Sequence, residues 1–263
     1  MTNSPELLEY TLGTGVRAFT TTRLGGCSEG TYASFNINEY CGDRPDHIRA
    51  NRAALCHELG IGPEALILPH QVHGTTVREI DAALLRHDAA TRRALLEGVD
   101  AVMTDVTGVC VGVSTADCIP VLLYDEVHRA VAAVHAGWRG TAAGIGGVTV
   151  RRMRDEFGCR PEDILAGIGP SIGACCFEVD APVWEAFCRA PHFSPAEHGR
   201  ADGGGKFHID LKAVNARDLT QAGVLPEHIT VSDLCTRCRP DVFWSHRAYG
   251  SERGSLAAFI ALI

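Results

Sequence analysis

Four apolar runs crowd into residues 100–135, at 100–105, 109–115, 119–124 and 129–135. Each is long enough for a strand and too short for a membrane span. So much strand in so short a stretch dictates a sheet. The Gly, Asp and Glu-Val-His turns between the runs predict adjacent strands with hairpin connections. Before this centre, residues 16–22 read as a strand. Residues 45–59 read as a helix with Ile48, Leu55 and Leu59 near its period, and two short strands around 65–80 flank His70-Gln71-Val72-His73-Gly74. After it, a helix runs from about Gly140 to Phe157 with Gly158 as its stop, then a strand at 163–168. Helices near 180–189 and 210–222 follow, the second capped by Asp210, and strands near 228–232, 241–244 and 256–262 close the chain. Residues 190–206, ending in Gly203-Gly204-Gly205, read as a surface loop. There is no internal repeat or long polar linker, so 1–263 is expected to form a single domain. Hairpin-rich sheet with helices on either side argues for an α+β sandwich rather than a doubly wound parallel sheet.

Apolar residues make up 46% of the chain, enough for a sizeable core without covalent staples. Lys and Arg number 24 against 32 Asp and Glu, for a net charge of −8, and no basic run stands out. That argues against a nucleic-acid partner, although one or two local cations suffice for a phosphate or nucleoside site. The start, MTNSPELLEY, lacks the basic and apolar regions of a secretory signal, and no membrane contact is expected. A cytoplasmic protein is therefore expected, with its 11 cysteines reduced and mostly serving as small buried hydrophobes.

Three segments put reactive side chains where strands end in tight loops: His70 to Gly74, Thr115-Ala116-Asp117-Cys118, and His135-Ala136-Gly137-Trp138-Arg139-Gly140. Two imidazoles and a thiolate suit Zn²⁺, with copper as the softer alternative. Three protein ligands leave one position open, where a substrate oxygen is polarised or the pKa of a water lowered. Spacing alone does not bring His73, Cys118 and His135 together, and each could equally be a satisfied loop or core residue. Trp138 offers a flat face for an aromatic base. Arg139, near a helix start, is the first candidate for an anion, with Arg52 and Arg23 as weaker ones.

The segments QVHG, TADC, VHAGWRG, IGPSIG and FWSHR, with TTRLGG, SFN, GD and NR upstream, resemble the YfiH-like family over roughly 17–262. This family was formerly called polyphenol oxidoreductases of laccase type and is now associated with purine nucleoside phosphorylase activity. The resemblance implies His73, Cys118 and His135 as a zinc-binding and catalytic triad in a four-layer α/β/β/α sandwich. It also implies phosphorolysis of adenosine, inosine, guanosine and S-methyl-5'-thioadenosine, with adenosine deaminase activity. Purine nucleosides and inorganic phosphate are then the partners. The chain departs from the family at 246–254, with His246 for the usual Tyr and Ser251-Glu252-Arg253-Gly254 for the usual Thr-Gly-Arg. That segment carries less weight as a source of substrate contacts.

Other residues have blander readings. Asp117 suits a turn cap more than a catalytic role, and Glu178 suits a solvated strand end more than proton transfer. Gly167 to Gly173 lacks the dinucleotide-binding spacing. Cys235 and Cys238 form a lone CxxC that reads as structural or incidental, and the adjacent Cys175 and Cys176 are not expected to face one metal together. Two competing functions share the same residues. A copper-dependent polyphenol oxidoreductase would need clustered histidines, yet the 12 His include no His-x-His pair. A cysteine hydrolase would use Cys118 as nucleophile and His135 as base.

Overall fold

The computed structural model describes residues 4–263. Two mixed sheets stack face to face. The first runs, in spatial order, Leu7–Tyr10, Val16–Thr21, Leu256–Leu262, Cys110–Thr115, Leu66–Ile67. The second runs Ile229–Val231, Ile164–Ile168, Ile119–Asp125, Ala130–Ala136, Ala101–Thr104, Val77–Glu79. Pairing is antiparallel in the middle of both sheets and parallel at the strands Leu66–Ile67, Val77–Glu79 and Ile229–Val231.

Alternation along each strand decides which layer a side chain enters. Val111, Val113, Ala258 and Ile260 of the first sheet meet Val102, Leu122, Val131 and Ala133 of the second in the central layer. The alternate residues Met103, Val121, Leu123, Ala132 and Val134 face outward onto the helices Ile145–Phe157 and Leu211–Gln221, through Val150, Met153, Val214 and Leu219. On the far side, Phe19, Cys110 and Phe259 pack on Leu55 and Cys56 of the helix Pro45–Leu59. This is the expected α/β/β/α order. Burial on both faces explains why Ile119–Asp125 is a continuous apolar run rather than an alternating one. Leu122 and Leu123 are fully buried, so truncating either to Ala costs about 2–5 kcal/mol.

The boundaries at Asp210 and Gly158 are as expected. Asp210 accepts from the Ala213 amide at 3.1 Å, and Gly158 ends its helix at φ 74°. Four details differ. Only one of the expected central hairpins forms, between Ile119–Asp125 and Ala130–Ala136; Cys110–Thr115 belongs to the other sheet. Because both sheets bury both faces, hydropathy cannot tell which one a strand joins. Residues 241–244 form no strand: Phe243 and Trp244 anchor a turn on Ala116 and Leu256, and the Trp244 indole donates to the Phe35 carbonyl at 3.0 Å. The helix expected from Gly140 starts at Trp138 and breaks at Gly144, φ 72°, before resuming at Ile145. The stretch 190–206 holds a helical turn, Pro195–His198, and one arm of a hairpin, Gly199–Ala201 against Lys206–Ile209.

Candidate active site

Cys118 lies where the chain leaves Cys110–Thr115 in the first sheet and enters Ile119–Asp125 in the second. The crossing turns on Asp117, whose φ of 88° is rare for a residue with a side chain. Surrounding contacts hold that conformation. The Thr236 hydroxyl donates to Asp117 Oδ1 at 2.6 Å and the Arg247 amide to Oδ2 at 2.6 Å, while the Asp117 carbonyl accepts from the Ile172 amide at 2.9 Å. Asp117 is thus a turn-holding residue. His135 sits near the end of Ala130–Ala136, paired with Pro120 in the adjacent strand, which sets it beside Cys118. His73 comes from a loop and also has positive φ, 64°. Gln71 ties this loop to the first sheet, donating to the Ser114 carbonyl at 2.8 Å and accepting from its amide at 2.7 Å.

Asp100 connects the two histidines. Its carboxylate is fully buried and accepts from the amides of His73 (2.9 Å), Gly74 (2.7 Å) and Val72 (3.3 Å). It also contacts His135 Nδ1 at 2.8 Å, and its backbone carbonyl accepts from the His135 amide at 2.8 Å. Burial pushes the Asp100 carboxyl up, but the His135 hydrogen bond and the amides outweigh it and leave it below the usual carboxylate range. An ionised carboxylate only accepts, so Nδ1 of His135 carries the proton and Nε2 faces the cleft. Sequence reading passed over Asp100. The available signal was an acid opening the buried run Ala101–Thr104, a place where an unpaired carboxylate is costly.

One ligand atom from each of His73, Cys118 and His135 lies within 4.8 Å of the others. Cys118 Sγ is 3.8 Å from His73 Nε2, and the two rings meet edge to face at 4.8 Å between centroids. Burial would raise the Cys118 thiol, but the imidazoles of His135 and His73 bring it down to about 6. Burial would lower His135, yet the Cys118 sulfur and Asp100 bring it up to about 9. Without an ion, the centre is therefore a thiolate beside an imidazolium at neutral pH. Gly137 leaves the necessary room: a Cβ there would come 2.6 Å from His73 Cδ2 and 3.3 Å from Cys118 Sγ.

The three side chains line a cleft of about 520 Å³, within the usual size range of small-molecule sites. Trp138 and Arg139 form one wall, with the Arg139 guanidinium 4.3 Å over the Trp138 ring, so that face of the indole is already covered. Tyr40 and His70, stacked at 4.0 Å, stand at another edge.

The other arginine candidates do not reach the cleft. Arg52 lies along the helix Pro45–Leu59, with its nearest partner the Leu66 carbonyl at 3.4 Å. Arg23 is held by the carbonyls of Ala33 and Pro240 and stacks 4.1 Å over Trp244, a structural role. Glu178 is exposed, its carboxylate 3.9 Å from His208. The discounted segment 246–254, by contrast, supplies His246, Arg247 and Arg253 to the cleft lining. Arg247 hydrogen-bonds the Glu178 and Cys176 carbonyls. Arg253 bonds the Gly254 carbonyl through Nη1 and leaves a buried Nε without a partner among the described residues. It lies in the segment where Ser251-Glu252-Arg253-Gly254 replaces the usual Thr-Gly-Arg, which is why it carries little weight in the sequence.

Residues 17–263 match the family described as multi-copper polyphenol oxidoreductase laccase. A purine nucleoside phosphorylase of Bacteroides thetaiotaomicron is 43% identical over 244 residues, covering 93% of this chain and 90% of its own. Adenosine deaminase RL5, from an unknown prokaryotic organism, is 39% identical, with 91% of each chain covered. The crystal structure of the Bacillus licheniformis hypothetical protein YfiH superposes with a TM-score of 0.93 at 32% identity, covering 100% of this chain and 98% of that one. With the match spanning both sheets and every segment of the cleft, the chain belongs to the YfiH family, the one described as multi-copper polyphenol oxidoreductase laccase.

Proposed function

We propose that this chain is a zinc-dependent, cytoplasmic purine nucleoside enzyme. It would phosphorolyse adenosine, inosine, guanosine and S-methyl-5'-thioadenosine and would also deaminate adenosine. The observation that carries the reading is the convergence of His73, Cys118 and His135 in a nucleoside-sized cleft that also holds Arg139 and Arg253. Relatives named purine nucleoside phosphorylase and adenosine deaminase support the substrate class. Among the described residues, no helix is long and apolar enough to cross a membrane, and the 11 cysteines are unpaired, in keeping with a reducing compartment.

The donor set fits zinc: two imidazoles and a low-pKa thiolate, with His135 Nε2 left free by the Asp100 hydrogen bond. When bound, the ion supplies Lewis acidity toward a substrate oxygen or water. The chain's own residues do the rest. Asp100 fixes the protonation and orientation of His135. Arg253 and Arg139 attract and orient the phosphate, and Trp138, Tyr40 and Phe177 give the purine apolar surface. Copper would suit the same donors. A multi-copper cluster lacks support, because only one metal-binding group among the described residues contains two histidines. The cysteine hydrolase draws on the same thiolate and imidazolium, and metal dependence separates the two readings.

The test is turnover of adenosine and inosine by metal-quantified protein, with and without phosphate. Arg253→Ala and Arg139→Ala each remove a charge-assisted contact worth about 1.5–3 kcal/mol. Phosphate-dependent cleavage should fall roughly tenfold to a hundredfold, with a raised KM for phosphate. Deamination in phosphate-free buffer needs only water and should fall much less. If neither nucleoside is cleaved in a phosphate-dependent way, the phosphorylase reading is wrong; equal loss of both activities would make the arginines general supports of the site.

Gly137→Ala tests the centre by crowding. The backbone there, φ −64° and ψ 168°, accepts alanine, so folding should be little affected. The methyl group must displace the His73 ring, and zinc affinity and turnover should drop about tenfold to a hundredfold, the scale for disturbed ligand support. Wild-type zinc affinity in this variant would mean that His73 is not a ligand.

A further inference from the structure

A second group of soft ligands lies apart from the triad. Cys175 and Cys176 follow the strand Ile164–Ile168, and Cys235 and Cys238 follow Ile229–Val231; the four sulfurs lie within 4.8 Å of one another. This overturns the reading of a lone CxxC and a mismatched adjacent pair. The two strands are parallel neighbours, so the loops leaving them emerge side by side. A tight turn, with the Cys176 and Phe177 amides both donating to the Gly173 carbonyl, swings the consecutive cysteines toward the same point.

Three features point to an ion. Cys238 Sγ is 3.7 Å from that of Cys175 and 3.5 Å from that of Cys176. Zinc–sulfur bonds of about 2.3 Å in a tetrahedron set sulfurs about 3.8 Å apart, close to these separations, whereas a disulfide needs about 2.05 Å. Donors already serve the sulfurs: the Gly173 amide reaches Cys235 Sγ at 3.2 Å and Arg237 Nη1 reaches Cys176 Sγ at 3.8 Å. Nearby, Lys212 is buried and bonds the Ser232 and Leu234 carbonyls at 2.7 and 2.8 Å. Among the described residues it has no ion pair with a carboxylate; the negative groups that act on it are Cys235 first, then Asp210, Asp233 and Cys175. A buried cation of this kind needs negative charge close by, and four thiolates on a divalent ion carry a net charge of about −2.

We propose that Cys175, Cys176, Cys235 and Cys238 bind a structural zinc ion, separate from the triad, that clamps two loops forming a wall of the cleft. Ile172 and Phe177 flank the first cysteine pair and line the cleft. Thr236 lies within the second pair; its amide donates to the Ser171 carbonyl at 3.0 Å and its hydroxyl holds the Asp117 turn beside Cys118. The ion therefore braces the backbone that presents Cys118 while leaving substrate chemistry to the cleft.

Zinc per chain, measured on reduced, purified protein, tests this. Wild type should hold two ions, Cys118→Ser one, Cys238→Ser one, and the double variant none. Cys238→His retains a ligand and should retain the second ion, which separates ligand loss from misfolding. With cobalt in place of zinc, the strong thiolate-to-metal absorption should persist in Cys118→Ser and largely vanish in Cys238→Ser. A single wild-type ion that Cys118→Ser removes would overturn the proposal. So would a Cys238→Ser variant with undiminished zinc, or a reduced wild-type mass short by two hydrogens, which marks a disulfide.

Discussion

Cys118→Ser should lower nucleoside turnover to below about one-thousandth of wild type, the scale on which losing one member of a catalytic unit acts. Serine is almost the same size but offers a hard hydroxyl that does not ionise near neutrality, where the Cys118 thiol is held at about 6 by its two imidazoles. Zinc content should fall by one ion per chain. At neutral pH the metal-free variant should be only modestly less stable than metal-free wild type: Cys118 is half-buried at a turn and its sulfur fills no core cavity, so what serine loses is the thiolate beside the His135 imidazolium. Added zinc should then separate them further: an ion present at a thousandfold its Kd stabilises the native state by about 4 kcal/mol, and this site would do so only in wild type. A variant that unfolds readily yet keeps all its zinc would identify Cys118 as a packing residue.

The parts of this molecule legible in its sequence are those governed by local rules. The Asp210 cap, the Gly158 stop and the strand runs follow from hydrogen-bond satisfaction, left-handed glycine geometry and hydropathy. Sheet membership was not legible, since Cys110–Thr115 and Ile119–Asp125 are equally apolar and only the three-residue crossing between them separates the sheets. The same distinction holds at the site. His73, Cys118 and His135 were selected as reactive types at strand ends and through the family resemblance, but their convergence depends on that crossing and on Asp100. Arg253 and the Cys175–Cys176 pair were discounted because their roles depend on loops distant in sequence. Arg52 was misplaced because a helical arginine gives no local sign of which layer its helix covers.

Asp100→Asn should be nearly as damaging as loss of Cys118, although Asp100 is set back from the cleft surface. The carboxylate receives three backbone amides and the His135 Nδ1–H, all aimed at acceptor oxygens. Asparagine supplies one acceptor and replaces the other with an NH₂ group, so at least one buried donor faces another donor. Each donor left unpaired costs about 1–3 kcal/mol, and stability at neutral pH should drop by at least that much. The alternative is a His135 tautomer shift, in which Nδ1 accepts from the new amide and the proton moves to Nε2, the nitrogen needed by a metal. Zinc affinity and turnover should therefore fall a hundredfold or more, at the upper end of the roughly 10–100-fold usual for supporting groups. Acid gives the stability loss its own signature. The Asp100 pKa is depressed in the folded protein, so its contribution is fully present above the ordinary carboxyl value of about 3.9 and is lost as pH falls through the folded value. The stability gap between wild type and variant, measured on metal-free protein, should thus be widest near neutrality and narrow in acid. A variant with wild-type zinc affinity would show that the tautomer of His135 is set by something other than Asp100, while a gap unchanged with pH would show that the carboxylate's charge is not what the four donors stabilise.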